Sequence, residues 1–96
     1  MQAGIDAPGQ APLRQAMTAL ARAATGNPRV PRQLQTVISH ADYSMTLGVP
    51  AAQLIAAADK VVALVGFDAV DEKVEAASRR LEKATVEYRM WVLVRG

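Results

Sequence analysis

The chain contains no cysteine and a single histidine, His40. Without thiols there is no disulfide framework, no cysteine-ligated zinc or iron–sulfur centre and no thiol nucleophile. One imidazole is too few for a histidine-based metal site, and neither a metal nor a cofactor is expected. Aromatic residues are scarce: Tyr43, Phe67, Tyr88 and Trp91 make up 4% of the sequence. The most apolar stretch, residues 50–70, is interrupted by Asp59, Lys60 and Asp68. A membrane helix needs ~20 mostly apolar residues, so no span is expected. The first ten residues hold neither a basic cluster nor an apolar run of the kind found in signal peptides, and a cytoplasmic location is the expectation, although export without a signal leaves no such mark.

What the chain does have is alanine, at 19 of its 96 residues, in a composition that is 51% hydrophobic and 21% charged with a net charge of +2. That length fits one domain, at ~100–200 residues per domain, and the hydrophobic share excludes a disordered polymer. Alanine loses no side-chain entropy on joining a helix, and its small side chain lets helix axes approach closely. The fold class expected is all-α, a small four-helix domain with short links, a thin core and a long amphipathic C-terminal helix. Arginine outnumbers lysine by eight to three; this reads as the base composition of the genome and carries no functional weight.

Proline and glycine set the boundaries. Pro12, Pro31 and Pro50 each precede an apolar-periodic segment, and Gly26, Gly48 and Gly66 each follow one. Proline suits the first turn of a helix, where its missing N–H costs nothing, and glycine suits the left-handed position past a helix end. Residues 1–10 show no periodicity and read as a flexible arm, leaving residues 11–96 as the helical domain. Helix one is expected from about Pro12 to Thr25, with Leu13, Met17, Leu20, Ala21 and Ala24 on one face. Helix two is expected from about Pro31 to Leu47 on Leu34, Val37, Ile38, Ala41 and Met45. Helix three is expected from about Pro50 to Val65 on Leu54, Ile55, Ala58, Val61, Val62 and Val65.

Helix four carries the strongest pattern. Val70, Val74, Ala77, Leu81, Ala84, Tyr88 and Trp91 recur in alternating steps of four and three, three heptads on a seam of period 3.5. Asp68 is the expected cap, with Asp71 and Glu72 in the first turn where the helix dipole favours acids. Glu75–Arg79 and Lys83–Glu87 stand at i,i+4 on its outer faces, and a second apolar stripe appears at Val86, Met90 and Leu93. Trp91-Val-Leu-Val94 has β propensity, which leaves helix and strand both open for residues 88–95.

The chemical motifs are weak. Ser39, His40 and Asp42 are close in sequence, but adjacent helical residues point ~100° apart, so Ser39 cannot face His40. His40 and Ser44 can meet at i,i+4, yet no strained nucleophile turn or oxyanion signature accompanies them. No catalytic residue is assigned. The acids at the start of helix four lack the spacing and central glycine of a calcium loop. Arg22, Arg29 and Arg32 bracket the Gly26-Asn27-Pro28 turn and, with Arg14, make the first 50 residues net +2, so they are the candidates for anion or nucleic-acid contact. Residues 43–54, with Gly48 between two apolar segments, resemble the turn of a helix-turn-helix motif. The first turn after that link, Pro50-Ala51-Ala52-Gln53, offers one glutamine for reading base edges.

These observations favour a non-enzymatic assembly or adaptor module that works through protein–protein contact, with a protein partner or a second copy. At ~1.5 Å per residue a fourth helix of 25 residues is about 37 Å long, longer than the other three, so its end is expected to overhang them. The expected interface is Leu81, Ala84, Tyr88, Met90, Trp91 and Leu93, since tryptophan, tyrosine and methionine are enriched in interface cores. A helix-turn-helix regulator using residues 31–65 is the second reading, with nucleic acid a less favoured partner. A small protein inhibitor of a larger complex is the third.

Overall fold

The computed structural model describes residues 10–68 and 71–95. Four helices account for nearly all of them, and no strand occurs among the described residues: α1 (Gln10–Ala24), α2 (Arg32–Met45), α3 (Ala51–Asp68) and α4 (Glu72–Arg95). Gln10, expected at the end of the arm, is already helical; the rest of that segment lies outside the described residues. Residues 88–95 are helix, so the strand alternative does not apply.

The helices close in a ring. α4 packs on α1 and α3, and α2 packs on the same two. The molecule is elongated, 41 × 21 × 17 Å. The short links make consecutive helices antiparallel neighbours. The apolar faces read from periodicity form one core: Leu13, Met17 and Leu20 of α1, Ile38 and Met45 of α2, Leu54, Val61 and Val65 of α3, and Val74, Leu81 and Tyr88 of α4 are buried together. Ala16, Ala24 and Ala58 are fully buried, the close helix approach that alanine permits. Val70 lies outside the described residues.

The turns follow the sequence at two glycines and depart from it at the third. Gly26 (φ 77°) and Gly48 (φ 70°) take the left-handed conformation that side chains resist. Gly66 does not end its helix: α3 continues through it to Asp68. The prolines also sit slightly differently. Pro12 is the third residue of α1, and Pro31 immediately precedes α2 with extended backbone (φ −56°, ψ 143°). Pro50 immediately precedes α3 and its carbonyl accepts from the amides of Gln53 and Leu54. Asp68, expected as the cap of α4, is the last residue of α3; the cap is Asp71, whose Oδ1 accepts from the Lys73 amide at 2.7 Å.

The turn between α1 and α2 is held by side chains. Gln35 donates from Nε2 to the carbonyls of Asn27 and Val30 and accepts from the Gly26 amide. Asn27 Oδ1 accepts from the Arg29 amide, and Val30 is buried beneath the turn. Asn27 Nδ2 also donates to Asp71 Oδ2, which puts the α1–α2 and α3–α4 links at the same end of the bundle.

Candidate functional site

The expected interface on α4 divides into two groups. Leu81, Ala84 and Tyr88 are buried inside this chain and present nothing to a partner. Trp91 is half-buried against the core, its ring stacked on that of Tyr88 with centroids 6.4 Å apart and planes 8° from parallel. The heptad seam is therefore the inner face of the chain's own bundle. Met90 and Leu93 do face solvent, 60% and 74% exposed, and Val86 and Val94 flank them at 46% and 85%.

The C-terminal overhang expected from helix lengths does not form against α3. Arg89 of α4 pairs with Asp59 of α3, which places these two positions side by side. Six residues of α4 follow Arg89, about 9 Å of helix, and eight residues of α3 precede Asp59, about 12 Å. The last turns of α4 thus run beside the first turns of α3, and Tyr88 and Trp91 have a core to enter. The exposed apolar stripe results from a solvent-facing side of α4, not from an unsupported end.

Of the i,i+4 pairs expected on α4, Glu75–Arg79 is present at 3.1 Å, and Lys83–Glu87 forms no ion pair among the described residues. Two polar residues missed by the apolar pattern are buried beside the seam, Ser78 and Thr85; Thr85 resolves its hydroxyl by donating to the Leu81 carbonyl at 2.7 Å.

The three candidate arginines are all exposed, but they do not form one site. Arg29 and Arg32 stand at the α1–α2 turn, with Arg29 near enough to Asp71 to help hold its carboxyl below the ordinary range. Arg22 instead lines a surface groove with Arg14 and Arg80. Arg80 comes from a helix 58 positions further along the chain, so no local spacing could have joined it to Arg22.

His40 and Ser44 do share a surface, a shallow cavity of about 290 Å³ between α2 and α3 that also receives Thr36 and Lys60. No carboxylate lines it. Asp42 points to the other side of α2, where its Oδ1 accepts from the Thr18 hydroxyl at 2.9 Å. Acyl-transfer chemistry needs an acid that orients the histidine, and none lines this cavity. Among the described residues no three His, Asp or Glu side chains stand close enough together to hold a metal ion. No helix is long and apolar enough to cross a membrane, again among the described residues. On α3 the residues facing solvent near its start are Ala52, Gln53 and Ala56.

Compared with known proteins, the chain matches no family model, no curated protein and no solved structure.

Proposed function

We propose that this chain is a non-catalytic assembly module that pairs through the outer face of α4, in the first instance with a second copy of itself. The observation that carries this reading is the stripe of Val86, Met90, Leu93 and Val94. Among the described residues seven large hydrophobic side chains are exposed, and four of them lie in these nine positions of one helix. Scattered exposed apolar residues are ordinary, whereas large side chains gathered on one face of a helix are the kind of group that marks a contact surface. Spacing of i, i+4 and i+7 lays the side chains along one line of a helix, the form in which helices meet other helices or apolar grooves. A second copy satisfies the geometry simply, because a two-fold contact needs only that the same stripe meet itself.

The experiment is light scattering after gel filtration at micromolar to submillimolar concentration, on the wild type and on Met90→Glu with Leu93→Glu. The wild type should be dimeric and the variant monomeric. Both side chains are already in water in the single chain, so the variant should keep its helical circular dichroism. A wild type that stays monomeric throughout this range would overturn self-pairing.

A further inference from the structure

We propose that the groove along α1 binds a small molecule bearing phosphate groups, held between Arg22 of α1 and Arg80 of α4. The groove encloses about 590 Å³, within the ~300–1,000 Å³ typical of ligand clefts. Its polar lining is Arg14, Gln15, Thr18 and Arg22 from α1, Asp42 from α2, Thr46 just past the end of α2, and Arg80 from α4. Alanine and Met45 between them leave an apolar floor for an organic body.

The charge of this surface is one-sided for an identifiable reason. α1 carries no aspartate or glutamate from Gln10 to Ala24. Asp42 is the one carboxylate in the lining, and its Oδ1 is occupied by the Thr18 hydroxyl. The helix dipole accounts for a cation in the last turn of α1 and so for Arg22 alone. It does not account for Arg80. On α4 the neighbouring arginines are paired within the protein, Arg79 with Glu75 and Arg89 with Asp59. Arg80 and Arg22 are both exposed and form no ion pair among the described residues. Two guanidinium groups from different helices, left unneutralised at one concavity, are the groups that recognise phosphate by paired N–H donors. A phosphate-bearing ligand meets the forks of Arg22 and Arg80 from two different helices, with Gln15 supplying a neutral donor.

The test is a nuclear magnetic resonance titration of the full chain with inorganic tripolyphosphate at low, constant ionic strength. Saturable shifts should be confined to residues 14–22, Asp42 and Arg80. Arg22→Gln with Arg80→Gln should weaken binding about tenfold or more, and Arg29→Gln with Arg32→Gln should leave it unchanged. Asp42→Asn keeps an acceptor for Thr18 while removing the groove's negative charge, so it should tighten binding several-fold, an effect that a merely structural role would not give. A parallel titration with a nucleoside triphosphate identifies the source: tighter binding of the nucleotide assigns an organic ligand, and tighter binding of tripolyphosphate an inorganic one. Loss of saturation, equal effects of the turn arginines, or binding only to a single-stranded oligonucleotide with shifts spread to Arg29 and Arg32 would overturn the proposal.

Discussion

Asn27 Nδ2 donates to Asp71 Oδ2 at 3.2 Å, a bond between two links that stand 44 positions apart in the chain. The same carboxylate caps α4 through the Lys73 amide. One aspartate therefore starts the last helix and ties it to the first turn of the bundle.

This bond has a pH signature. Donation from the Asn27 side chain, then from the Lys73 amide, holds the Asp71 carboxyl below its ordinary value of 3.8, and the nearby Arg29 charge adds to this. A lowered folded pKa means that the carboxylate form is favoured in the native state. Its contribution is fully present above the ordinary value and lost as pH falls through the lowered one. Asp71→Asn should flatten the acid limb of a stability-against-pH curve measured by thermal unfolding. An unchanged acid limb would show that Asp71 has no such role.

Tyr88 distinguishes a core position from a contact surface. Tyr88→Ala should cost about 3–5 kcal/mol in urea unfolding, as truncation of a buried aromatic does. Burial also raises its phenol above the ordinary value of 10.0. The neutral form is the one the native state prefers, so the Tyr88 contribution should be level below pH 10 and be lost as pH rises through the raised value. Met90→Ala, by contrast, should stay within about 0.5 kcal/mol of wild type in dilute, unassociated protein.

The glycines give a pair of opposite results. Gly48→Ala forces a Cβ into the left-handed region and should destabilise by roughly 1–2 kcal/mol. Gly66 is helical, and a Cβ added there meets nothing within 4 Å. Gly66→Ala should therefore stabilise by about 0.5–1 kcal/mol, measured as the midpoint shift in urea. Destabilisation at Gly66 would restore it as a helix terminator.

Ala58 tests how tightly the helices approach. It is fully buried in α3, so Ala58→Leu should force the helices apart and cost about 1–3 kcal/mol. Equal stability would indicate spare volume in the core, readable in the same unfolding experiment.

Periodicity, proline and glycine were enough to place four helices and most of their buried faces, because those are local properties. An apolar row at steps of three and four lies on one side of any helix, whatever it packs against. The same pattern does not say whether the row meets the chain's own bundle or another protein. Leu81, Ala84 and Tyr88 look identical in sequence under either arrangement. The packing of α4 on α1 and α3 brought them inside and left Val86, Met90, Leu93 and Val94 on the surface. Capping by Asp71 over Asp68 was likewise decided by where α3 stopped, three residues beyond its last expected apolar position. The grouping of Arg22 with Arg80 is the least local feature of all. Charge content along the sequence placed a basic bias near the first turn, but two side chains 58 positions apart become neighbours only through the packing of α1 on α4.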